Sequence, residues 1–181
     1  MDSVATAPRL APWDTPRVVR PSNPALQRLA THMDIAWDVD NTLIDRPASP
    51  LLHRFILATP HIRHVIVTFR NERQGGPWHA LARYASAPGL TAFNQVIYLP
   101  EALREQYSNA QAAQRNALWP AFDRLLRPRK AGWEGTYRAW KGMMCEREGI
   151  TALVDDMTRL VADGCQRHGV KLFHPADFLT A

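Results

Sequence analysis

Met33-Asp34-Ile35-Ala36-Trp37-Asp38-Val39-Asp40-Asn41-Thr42 is the stretch on which the reading of this chain turns. A short, mostly apolar run ends abruptly in carboxylates and a hydroxyl. That is the pattern of a buried strand delivering polar groups at its carboxyl end. The pattern recurs where His64–Val67 runs into Thr68 and where Thr151–Val154 runs into Asp155-Asp156. Gln95–Leu99 and Val170–Phe173 also read as strands. Helical spacing occupies the intervals Pro50–Ala58, Pro77–Ala85, Glu101–Leu126, Thr136–Glu148 and Met157–His168. Pro120 should break or kink the longest of these into two helices, and Gly169 sits where a helix end favours a left-handed residue. Strands separated by helices require right-handed crossovers. The expectation is a doubly wound α/β domain on a five-stranded parallel sheet.

The surrounding composition agrees with a single folded domain. The chain has 181 residues, 46% hydrophobic and 22% charged, ordinary proportions for a globular protein with a sizeable core. No apolar run approaches the roughly 18 residues that span a bilayer. No secretory h-region is visible near Met1, and Cys145 and Cys165 are the only cysteines, so reduced thiols in a cytoplasmic setting are expected. Pro8, Pro12, Pro16, Pro21 and Pro24 mark residues 1–30 as an extended N-terminal arm, leaving 31–181 as the domain.

Ligands of open α/β sheets bind beyond the carboxyl ends of the strands. The clusters after the first, second and fourth strands should therefore meet at one edge. Asp38 and Asp40 share a side if the segment stays extended, and Asp155 and Asp156 would bring four carboxylates together. Such crowding raises carboxylate pKa values unless a cation intervenes. Oxygen ligands without His or Cys favour Mg²⁺ over Zn²⁺. A helix cap is the plain alternative for Asp155 or Asp156 taken singly.

These residues resemble the four motifs of the haloacid dehalogenase (HAD) superfamily, in order. Asp38-Val39-Asp40-Asn41-Thr42 resembles the first, Thr68 the second, Lys141 the third and Asp155-Asp156 the fourth. The resemblance implies a magnesium-dependent phosphatase working through a phosphoaspartate. Asp38 would be the nucleophile and Asp40 the general acid and base. Asp38, Asp40 through its carbonyl, Asp155 and Asp156 would surround the metal. Thr68 and Lys141 would hold phosphoryl oxygens, with Asn41, Thr42 and Arg70 as further substrate contacts.

Cap domains in this superfamily enter at two places. Leu43–Pro50 has room for a flap at most, and most of Pro100–Trp140 is needed for a crossover helix. Little or no cap is expected, which suits a large substrate. The segment from Val154 to Phe178, with Trp140-Lys141 and Thr68-Phe69-Arg70, resembles the 3′-phosphatase domain of phage polynucleotide kinase. No G-x-x-x-x-G-K-[ST] phosphate loop accompanies it. The net charge is +5, and removing Lys141 and the four aspartates makes the remainder more basic still. Arg124, Arg127, Arg129, Lys130 and Arg138 interleave with Phe122, Trp133, Tyr137 and Trp140, a composition suited to single-stranded nucleic acid. A capless phosphatase of small metabolites or phosphoproteins, and a catalytically silent nucleic-acid-binding module, remain open alternatives.

Overall fold

The computed structural model describes residues 23–70, 76–105, 108 and 137–179. The proline-rich segment up to residue 22, most of Glu101–Leu126 with Pro120, and the Arg124–Lys130 cluster lie outside the described residues. So does the greater part of the interval assigned above to a crossover in place of a cap.

Five strands form one all-parallel sheet: β1 (Asp34–Trp37), β2 (Arg63–Thr68), β3 (Gln95–Tyr98), β4 (Ala152–Val154) and β5 (Lys171–Phe173), in the order β3-β2-β1-β4-β5. Helices α1 (Pro24–Leu29), α2 (Ser49–Ala58), α3 (Gly76–Leu81) and α6 (Thr158–Arg167) accompany them, with further helical residues at 101–105 (α4) and 137–147 (α5). The fold is the doubly wound α/β sheet expected.

Side-chain alternation divides the strands between two cores. Ile35, Trp37, Ile66 and Val154 face one core with α1 and α2. Ala36, Val65, Val67 and Leu153 face the other with Tyr137, Trp140, Cys145, Val161 and Cys165. A sheet covered on both faces needs apolar side chains on both sides, hence near-continuous apolar strands. Each large apolar side chain removed from water this way contributes about 1.5–3 kcal/mol.

Residues 24–29, expected to belong to an extended arm, are a helix. Asn23 caps α1 by accepting from the Ala25 and Leu26 amides, and Pro24 stands in the first turn, where no amide is needed. Ala25, Leu26 and Leu29 are buried in the core. The Asn23 side-chain amide also donates to the Phe178 carbonyl at 2.8 Å, tying this helix to the turn Pro175–Phe178. Proline density therefore misleads here, because a proline at a helix start is harmless.

From β1 the chain proceeds outward to β2 and β3, then returns to the opposite side of β1 for β4 and β5. The strand order reverses between β1 and β4, which opens a crevice there at the carboxyl edge. The Asp38 amide donates to Val154 O at 2.9 Å and the Asp155 amide to Phe173 O at 3.0 Å. The ladder thus runs to the first residue of each acidic cluster and holds both beside the crevice.

Candidate functional site

Beyond β1 the backbone leaves the extended form. Val39–Leu43 makes a wide turn in which the Ile44 amide reaches Val39 O at 3.1 Å. Asn41 occupies the left-handed region at φ 54, which asparagine tolerates better than most side chains. This turn separates Asp38 from Asp40. Asp38, Asp155 and Asp156 offer carboxylate oxygens that all lie within 4.8 Å of one another. The Asp40 carboxylate instead takes a two-pronged contact from Arg70, Nε at 2.8 Å and the terminal nitrogen at 2.5 Å. The expected four-carboxylate cluster is thus three side chains, and the reason is the turn: a two-residue repeat holds only while the strand continues.

Lys141 lies at the centre. Its Nζ donates to Asp38 Oδ1 at 2.7 Å and to Asp155 Oδ2 at 2.6 Å, and its side chain has no solvent exposure. It reaches this depth because α5 and α6 cross almost in backbone contact. A Cβ on Gly142 would lie 2.5 Å from the Gly164 carbonyl oxygen, and one on Gly164 would lie 2.5 Å from the Ala139 Cα. Only glycines allow the crossing. Asp155 also receives the Met157 amide on Oδ1 at 2.7 Å.

Three carboxylates meet two cationic side chains here, Lys141 and Arg46. Burial pushes the Asp38 carboxyl up to about 7; Lys141 opposes that rise and Asp155 adds to it. Burial likewise raises Asp156, with Asp155 contributing and Arg46 opposing. For Lys141 burial alone would lower the pKa, but Asp38 and Asp155 outweigh it and hold the ammonium above its ordinary range. Lys141 can neutralise one of three neighbouring carboxylates, and Arg46 stands 3.6 Å from Asp156 with half its side chain in solvent. The hard oxygen donors and the surplus negative charge fit a divalent cation.

The remaining expected residues separate by exposure. Thr68 is fully buried at the end of β2, and its hydroxyl accepts the Arg70 amide at 3.2 Å. Asn41 is exposed. Thr42 is fully buried, its hydroxyl accepts the Asp156 amide at 3.2 Å, and its carbonyl accepts from Ser49 at 3.0 Å. It joins the first acidic loop to the second. Arg70 is bound to Asp40, not free at the rim. Tyr137 and Trp140, expected to lie among basic residues facing nucleic acid, are core side chains.

Three participants were not singled out in the sequence. Arg46 belongs to the short loop after the turn, which is fastened where the Asp45 amide donates to the Tyr84 hydroxyl at 2.8 Å. The Phe69 ring lies 4.4 Å from Lys141 Nζ. His174, next after β5, contributes an electrostatic interaction with Asp156. Phe69 and His174 each stand one residue past a strand end; Phe69 entered the sequence reading only inside Thr68-Phe69-Arg70, and His174 not at all.

Both cysteines are buried free thiols, pushed up to about 12 by burial, and are therefore inert nucleophiles. No helix among the described residues is long and apolar enough to cross a membrane. Comparison of the chain with protein-family models, with curated proteins and with solved structures finds no match.

Proposed function

We propose that this protein is a magnesium-dependent phosphomonoester hydrolase of HAD type that works through a phosphoaspartate on Asp38. The observation that carries the reading is Asp38, Asp155 and Asp156 gathered around buried Lys141 at the switch point of a parallel sheet. Asp38 and Asp156 would hold the Mg²⁺ together with the Asp40 carbonyl, with Asp155 beside them. Bound there, the ion offsets the negative charge that otherwise keeps a carboxylate from a phosphate.

The chain's own residues divide the chemistry. Asp38 attacks phosphorus as the bond to the leaving oxygen breaks, and Asp40 gives that oxygen a proton. Asp40 then takes a proton from water, which attacks the phosphoaspartate and restores Asp38. Arg70 holds both oxygens of Asp40, so one prong must let go before that carboxyl can carry the proton. The same planar fork matches phosphate oxygens, which gives the released guanidinium a place on the substrate. Thr68 would meet another phosphoryl oxygen, and Lys141 would do so by exchanging one of its carboxylate partners for it.

For substrate class we favour 3′-phosphorylated single-stranded nucleic acid. The support is the basic balance of the chain and the resemblance to the phage domain. The burial of Tyr137 and Trp140 removes two of the rings that would have stacked on bases. A reducing, cytoplasmic setting suits two free thiols.

Hydrolysis of an aryl phosphate tests the reaction: activity with Mg²⁺ and none in EDTA is expected, and full activity in chelator refutes the assignment. The substrate is tested by kcat/KM on 3′-phosphorylated oligonucleotides against sugar phosphates. The oligonucleotide advantage should shrink with salt, with a slope of about −0.7 per phosphate neutralised. Alanine at Arg127 and Arg129 should raise its KM and leave aryl phosphate kcat unchanged.

A further inference from the structure

The Lys141 ammonium has three N–H donors. Two are taken by Asp38 at 2.7 Å and Asp155 at 2.6 Å. The side chain is wholly buried, so water does not meet the third. The Phe69 ring does, with its centroid 4.4 Å from Nζ. The negative face of an aromatic ring attracts a cation, and more strongly where water is excluded.

Phe69 is itself held in a fixed place. It stacks on Tyr137 with ring centres 4.8 Å apart and planes 11° from parallel, and it lies 5.8 Å from Trp140. Tyr137 sits one helical turn before Lys141 on α5. The helix that carries the lysine therefore also carries the ring that sets Phe69. Phe69 follows Thr68, the last residue of β2, so it links two of the strand-end clusters.

We propose that Phe69 is a positioning residue for Lys141. Its ring completes the coordination of the ammonium and keeps Nζ between Asp38 and Asp155. Its kinetic consequence rests on the phosphatase reading; its structural consequence does not. Leucine at this position keeps an apolar contact but has no ring face. Tyrosine keeps the face.

Lys130, Lys141 and Lys171 are the only lysines in the chain, which makes amine acylation a clean probe. The full-length protein is treated briefly with an amine-reactive ester, and the Lys141 and Lys171 peptides are quantified by mass spectrometry. Lys171 is exposed and serves as the internal reference. Phe69→Leu should raise the Lys141 to Lys171 acylation ratio roughly tenfold, and Phe69→Tyr should restore the wild-type ratio. On an aryl phosphate, Phe69→Leu should lower kcat by a similar factor with little change in KM, and Phe69→Tyr should recover it.

A wild-type ratio in Phe69→Leu, or a Phe69→Tyr variant indistinguishable from it, overturns the proposal. If the wild-type protein hydrolyses no phosphomonoester, the functional reading fails and the acylation ratio alone still decides the role of Phe69.

Discussion

Two ion pairs stand a few residues apart in this molecule and obey different physics. Lys141 with Asp38 and Asp155 is sealed, with 0%, 6% and 0% of the respective side chains exposed. Arg70 with Asp40 is at the rim, with 24% and 48% exposed. In the sealed group no water can take over when a partner is lost, so every member depends on the others. At the rim solvent screens the charges, and the pair can open at small cost. The proposed mechanism would use both kinds, a sealed group to hold Asp38 and an open pair to free Asp40.

The largest effect should come from breaking the sealed group. Lys141→Met leaves Asp38 and Asp155 buried without their cation, and should destabilise the fold by about 3–5 kcal/mol in urea titrations. Millimolar Mg²⁺ should recover part of the loss, because it supplies the missing charge. Equal stability of the two proteins without metal would break the contrast with the rim.

A buried polar group with no counter-charge sharpens the comparison. His64 accepts the Trp37 indole N–H on Nδ1 at 3.1 Å, and its Nε2 meets Thr59 O at 3.2 Å. Burial lowers its pKa from 6.5 to about 4. Between those values the unfolded chain binds a proton that the native chain refuses. The stability owed to neutral His64 is complete above pH 6.5 and is lost as the pH falls toward 4. Linkage sets the loss at about 3 kcal/mol across that window. His64→Gln should flatten this part of the stability profile by comparison with wild type.

Gly142→Ala comes next. Its Cβ would meet the Gly164 carbonyl oxygen at 2.5 Å, so α5 must move and carry Lys141 with it. About 1–3 kcal/mol of stability should be lost, with a fall in turnover as well. Arg70→Ala should be the mildest, changing stability by less than about 1 kcal/mol while altering kcat and KM.

The sheet was legible in the sequence because each of its strands is covered on both faces and so reads as an apolar run. Strand ends were readable to within a residue or so, since Thr68 and Asp155 begin where apolar character stops. Lys141 was legible only through its place in a motif order. What escaped detection depended on backbone geometry. The turn at Asn41 redirects Asp40 from the cluster to Arg70, and a two-residue repeat contains no sign of it. Pro24 reads as a breaker yet starts a helix, because the sequence does not show that Asn23 caps it. The pairing of Phe69 with Lys141 joins residues from two segments, and no local pattern reports a contact made only by folding.

Asp38 would be the nucleophile in the proposed reaction. Asp40→Asn removes the acid that would assist hydrolysis and leaves Asp38 untouched. The measurement is peptide mass spectrometry of this variant after incubation with an aryl phosphate, with and without Mg²⁺. The account predicts a single phosphate on Asp38 that forms only with the metal and is absent when Asp38 is also changed to Asn. A phosphate on another residue, or wild-type turnover by Asp38→Asn, would contradict it.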